Sequence, residues 1–324
     1  MKRFILGVAV AAVIIFGAIA LWTQRTGRPP HHEGTPATGE APRFKFVVIA
    51  DLTGGRPSDD TVFDEVISEI NLVDPDFTLC VGDLIEGYSD SPQQVQAEWE
   101  VFNAEVGRLN RPFYYVFGNH DATTPVMIDI LRDRFKNLYY AFDHKQCHFI
   151  VLFSETRSED GALVGLSGDR EQIAWLRRDL ATSTDAVHTF VFLHRPGLSD
   201  EITRLFADRP TTIFAGHDHI YRQETRDGIN FITLGSSGAR MHGDLYSGGL
   251  FHYMLVTVSG EKVIPAIVRV GAILPADFLS VERQEKIAAA RAALWNVTLA
   301  LGDGGRPVDR TLEVRIPNPL PSDV

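Results

Sequence analysis

The chain has 324 residues, 44% of them hydrophobic, and its 42 acidic against 31 basic side chains give a formal net charge of −11. That balance is unfavourable to binding a nucleic-acid backbone, while the length allows one substantial core with a small appendage. The two cysteines, Cys80 and Cys147, fall within or at the start of apolar runs and lack zinc-site spacing, so two buried thiols are expected and the redox compartment stays open.

In chain order, Lys2 and Arg3 precede an uncharged run from Phe4 to Trp22, about long enough to cross a bilayer at ~1.5 Å per residue. Residues 1–25 are read as an N-terminal signal anchor or signal peptide. Ala18-Ile19-Ala20 fits a cleavage site, but the run exceeds the usual core of about 7–15 residues, which favours an uncleaved anchor. The remainder of the chain would then lie outside the cytoplasm, tethered to the membrane, or would be secreted if the segment is cleaved. Residues 26–42, rich in Gly, Pro, Thr and His without apolar periodicity, read as a disordered tether.

Residues 43–275 read as the main domain, and five of its apolar runs end in metal-ligand residue types. Phe44–Ala50 leads into Asp51, Phe77–Val81 into Gly82-Asp83, and Phe113–Phe117 into Gly118-Asn119-His120-Asp121. Thr189–Leu193 leads into His194, and Thr211–Ala215 into Gly216-His217-Asp218-His219. Each run reads as a buried strand, and in open α/β sheets the carboxyl ends of strands share the edge where ligands bind. Carboxylates and imidazoles crowded on that edge need a positive charge among them, which a pair of metal ions supplies.

Between these runs, Asp60–Val73, Val95–Leu109 and Glu171–Leu180 carry apolar residues at helical spacing. Later, Tyr221–Arg226 and Ile229–Thr233 flank the hairpin signal Asp227-Gly228, and Phe251–Val258 and Val263–Val270 flank Gly260. Periodicity alone gives a mixed α/β chain. The segment 276–324 reads as an extension, with an amphipathic helix over Val281–Trp295 and a strand pair at Val297–Leu301 and Leu312–Ile316.

From Asp51 to His219 the chain resembles the calcineurin-like metallophosphoesterases, whose ordered signatures are D-x-H, G-D-x-x-D, G-N-H-D/E, a lone His, and G-H-x-H. The resemblance implies a four-layer sandwich of two mixed sheets flanked by helices. It also implies one metal held by Asp51, Asp83 and His219, with Asp83 bridging to a second held by Asn119, His194 and His217. His120 would be the acid that protonates the leaving group, with Asp121 orienting its ring. Two such ions clamp phosphoryl oxygens and activate a water, so the expected activity is hydrolysis of a phosphate ester by a metal-bound hydroxide.

The match departs at D-x-H, where the chain reads Asp51-Leu52-Thr53, and at the second signature, where Glu86 replaces the usual Asp. A threonine hydroxyl donates far less charge than an imidazole nitrogen. Glu86, or else Tyr88, is therefore expected to complete the first metal's shell, and an oxygen-rich site there favours manganese, magnesium or ferric iron over zinc. The expected cofactors are two divalent or mixed-valence ions, manganese, iron or zinc. Arg56 and Arg195 are candidate phosphate readers, weighed against solvated surface arginines, and Gly235-Ser236-Ser237-Gly238 is either pocket lining or a plain loop. The expected partner is a phosphorylated small-molecule or lipid-linked substrate. The competing reading is a catalytically silent domain that binds a phosphorylated ligand or partner.

Overall fold

The computed structural model describes residues 41–53, 62–158, 160–269, 272–276 and 280–295. The expected membrane segment, the tether up to residue 40, Arg56 and the expected strand pair after residue 296 lie outside these. Among the described residues no helix is long and apolar enough to cross a membrane.

In chain order the elements begin with β1 (Arg43–Ile49), α1 (Val62–Val73), β2 (Phe77–Cys80), α2 (Pro92–Val106), β3 (Phe113–Tyr115) and α3 (Pro125–Phe135). There follow β4 (Tyr140–His144), β5 (Cys147–Val151), α4 (Arg170–Thr182), β6 (His188–Phe192), β7 (Thr211–Ala215), β8 (Arg222–Arg226) and β9 (Ile229–Thr233). The last are β10 (His252–Ser259), β11 (Lys262–Arg269), β12 (Ala272–Pro275) and α5 (Val281–Trp295). One six-stranded sheet has the order β12-β11-β10-β1-β2-β3, and the second the order β4-β5-β6-β7-β9-β8. β1, β2 and β3 run parallel, as do β5, β6, β7 and β9, while the hairpin strands are antiparallel.

Period-two alternation sorts the strand residues into layers. Phe46 and Val48 of β1 pack with Phe77, Phe149, Phe190, Phe192 and Phe214 between the two sheets, whereas Val47 and Ile49 face α1 and α2. A separate apolar layer joins Ile150, Val191 and Ile213 to Leu176 and Leu180 of α4. Helix, sheet, sheet, helix is therefore the order of layers, as the resemblance implied. In the central layer the Phe46 and Phe190 rings meet edge to face at 5.0 Å and 75°, the geometry that the ring quadrupole favours.

Helix starts explain where the elements differ from the periodicity. Ser91 accepts from the Gln94 N–H and Pro92 occupies the first turn, so α2 begins three residues before Val95. Gly107 caps its other end, so the helix stops short of Leu109. Helix α3 went unpredicted because its interior is interrupted by Asp129, Arg132, Asp133 and Arg134, leaving Met127 and Leu131 as its buried residues. It forms nonetheless on a Thr124 cap and Pro125. Helix α5 docks on the main domain: the Gln284 side chain donates to the Tyr221 carbonyl at 2.6 Å, and Ile287 packs against the inter-sheet core.

Candidate metal centre

The parallel strands deliver the expected residues to one edge. Asp51 follows β1, Asp83 follows β2, Asn119 follows β3, His194 follows β6, and His217 with His219 follow β7. Asp83, His194 and His217 offer ligand atoms within 4.8 Å of one another, and so do Asp51, Asp83 and His219. Asp83 belongs to both groups. His194 Nε2 lies 2.9 Å from Asn119 Oδ1, 3.1 Å from His217 Nδ1 and 3.3 Å from Asp83 Oδ1. Those separations match the spacing of roughly 3.0–3.4 Å between donors around a cation at about 2.1 Å.

The turns that present these groups are strained. Asp51, Asp83, His217 and His219 have φ of 49°, 56°, 73° and 52°, a region L-residues other than Gly seldom occupy and one concentrated at functional sites. Gly118 has no room for a side chain, since a Cβ there would lie 2.3 Å from Asp83 Oδ1.

Ring orientation tests whether the donor set suits a cation. His194 Nδ1 is 3.0 Å from the Val81 carbonyl and His219 Nδ1 is 2.5 Å from that of Arg240. A carbonyl only accepts, so both Nδ1 atoms carry hydrogen and both Nε2 atoms turn inward. Burial opposes protonation of His194, but Asp83 and Asp51 outweigh it and hold its pKa above the ordinary value. Burial likewise raises Asp51, against the pull of His219. His217 is driven down to about 3 by burial and by His194 and Arg195, so it is neutral and free to coordinate. The negative charge that raises His194 and His219 is charge that a bound cation would offset, and the residues fit divalent ions.

The groups expected to repair the D-x-H departure do not join the clusters. Thr53 is a strut, its hydroxyl lying 3.1 Å from the Asp83 carbonyl and 2.5 Å from that of Ile85. Glu86 is exposed, is absent from both ligand groups, and uses its backbone carbonyl on His120 Nδ1 at 2.7 Å. Tyr88 meets the other cluster, accepting from Asn119 Nδ2 at 2.8 Å. Asp121 also differs from expectation. Its carboxylate accepts from the Gly118, Leu84 and Ile85 N–H groups, so it ties two loops together while the Glu86 carbonyl orients His120.

Two further side chains at the site, those of Glu155 and His242, were not read from the sequence. Glu155 is fully buried, accepts from Arg195 Nε at 2.8 Å, and leaves Oε2 without a hydrogen-bond partner. Through it Arg195 is held with Nη1 2.7 Å from His217 Nε2. The signal was present, because Glu155 closes the apolar run Cys147–Phe153 as Asp51 closes β1. Ser236 and Ser237 brace the Asp51 turn: Ser236 Oγ donates to the Asp51 carbonyl at 3.0 Å and Ser237 N to that of Ala50 at 2.7 Å. His242 stacks on His219 at 4.6 Å, and nothing in its loop sequence marks it.

A family model described as calcineurin-like phosphoesterase matches residues 44–221, more than half of the 324-residue chain. The chain therefore belongs to that family, and membership implies divalent metal ions. No curated protein sequence matches it. Among solved structures it is similar to a purple acid phosphatase from yellow lupin (Lupinus luteus) seeds, at TM-score 0.56 and 13% identity, covering 78% of this chain and 56% of that one. This chain thus spans little more than half of the lupin protein. GAP50, the anchor in the inner membrane complex of Plasmodium, aligns at TM-score 0.52 and 16% identity over 70% of this chain and 85% of its own. A dimetal phosphatase from Danio rerio aligns at TM-score 0.51 and 16% identity over 69% of this chain and 98% of its own. At these identities the likeness is one of fold.

Proposed function

We propose, starting from membership of the calcineurin-like phosphoesterase family, that the protein hydrolyses a phosphate ester at a two-metal centre. Asp51, Asp83 and His219 would hold one ion, and Asp83, Asn119, His194 and His217 the other. The observation that carries this reading is the convergence of inward-facing lone pairs on His194 Nε2, with Asn119 Oδ1 at 2.9 Å and Asp83 Oδ1 at 3.3 Å. When bound, such ions polarise phosphoryl oxygens and lower the pKa of coordinated water.

The chain's own groups supply the rest. His120 donates through Nδ1 to Glu86, which leaves Nε2 as the atom that delivers a proton to the departing oxygen. Arg195 reads the phosphoryl group. With His217 holding a cation through Nδ1, its ring proton would sit on Nε2, and the Arg195 Nη1 that lies 2.7 Å away would be available to a phosphoryl oxygen. Glu155 keeps the guanidinium tethered while that happens. The substrate is proposed to be a phosphorylated small molecule or lipid-linked phosphate. An N-terminal membrane anchor would hold the catalytic domain outside the cytoplasm, or the protein would be secreted if that segment is cleaved.

One observation favours the silent reading. With Thr53 committed to backbone carbonyls, the first cluster retains three ligand residues. Release of p-nitrophenol from mono- and bis-nitrophenyl phosphate decides between them. Turnover that depends on added manganese, iron or zinc supports the enzyme, whereas bound metal without turnover supports a binding domain.

A further inference from the structure

Asn119 holds its side-chain oxygen 2.9 Å from His194 Nε2, inside the second cluster, while its Nδ2 donates to the Tyr88 hydroxyl at 2.8 Å. Tyr88 is 57% exposed and sits at φ 50°, an uncommon conformation for an exposed aromatic residue whose burial contributes little. Its neighbours grip the same segment. The Glu86 carbonyl takes His120 Nδ1 at 2.7 Å, and the Tyr88 ring meets that of His120 edge to face at 4.7 Å. Gly87 lies so close beneath that a Cβ would fall 1.7 Å from the His120 carbonyl oxygen, and its N–H is anchored on Glu98 at 2.8 Å. Three consecutive residues thus hold the Asn119-His120 pair from outside the metal centre.

We propose that Tyr88 is a positioning residue for the second metal: by accepting from Asn119 Nδ2, its hydroxyl fixes the amide so that Oδ1 faces the ion. This rests on the two-metal reading above. Tyr88 therefore serves the second site through Asn119 and is not a ligand of the first. Partners of this kind typically set metal affinity by about 10–100-fold.

Titration of the metal-stripped, full-length protein with Mn²⁺ tests this without any substrate. The step weakened by Asn119→Ala marks the second site. Tyr88→Phe is expected to weaken that same step by about 10–100-fold and leave the other step unchanged. In an Asn119→Ala background, Tyr88→Phe is expected to add nothing, because its route to the metal is gone. Parent affinity in Tyr88→Phe, or an equal loss in both backgrounds, overturns the proposal. Absence of a second binding step in the parent would instead overturn the two-metal reading on which it rests.

Discussion

His120 separates a proton donor from a metal ligand. Its backbone N–H donates to Asp83 Oδ1 at 2.9 Å, but its ring Nδ1 bonds the Glu86 carbonyl and the residue belongs to neither ligand group. His120→Ala should therefore leave metal content at the parent level while lowering turnover by about 10²–10⁴. Loss of metal from that variant, measured by elemental analysis, would make the residue a ligand. The convergence of the six residues expected as ligands was legible because each follows an apolar run, and the parallel sheets bring such ends together whatever lies between them. The role that the resemblance implied for Asp121 does not follow from its place beside His120, since adjacency in sequence says nothing of where a side chain points. Its carboxylate turns back to three backbone N–H groups, and burial with Asp83 nearby pushes it up to about 8.

At the scale of elements, β4, β5 and α4 are joined by one buried imidazole. His148 lies 2.6 Å from Asp143 through Nδ1 and 2.7 Å from Asp179 through Nε2, with 5% of its side chain exposed. Burial disfavours its charge, yet Asp179 and Asp143 prevail and the pKa is raised. A raised histidine contributes stability that is fully present below its unfolded value of about 6.5 and is lost as pH rises through the native value. His188 and His252, both lowered to about 4 by burial, act on the acid side instead. There, stability falls as pH drops from about 6.5 toward 4. Between pH 6 and pH 9, urea unfolding should show a loss of stability that is smaller in His148→Gln than in the parent by on the order of 1 kcal/mol; equal losses in the two proteins would deny the imidazolium. None of this was legible, since the sequence showed β5 as an apolar run and gave β4 no strand signal. Helix α3 was missed for a related reason, its stability resting on a Thr124 cap and two buried side chains rather than a continuous apolar stripe.

For the whole molecule, two sheets packed through phenylalanines from β1, β2, β5, β6 and β7 bring strand ends from both sheets to a single edge. Asp51, Asp83 and Asn119 come from one sheet, and His194, His217 and His219 from the other. The alternation of Phe46 and Val48 against Val47 and Ile49 made a two-faced strand readable, but which sheet each strand joins depends on long-range pairing that no local pattern encodes. The centre thus depends on the sheets keeping their relative placement. Diffraction from crystals soaked in Mn²⁺, recorded at wavelengths on either side of the manganese absorption edge, tests the account most directly. Two anomalous peaks about 3.5–4 Å apart are predicted, with Asp83 between them, Asn119, His194 and His217 on one and Asp51 and His219 on the other. No peak at saturating metal, or peaks remote from Asp83, would contradict it.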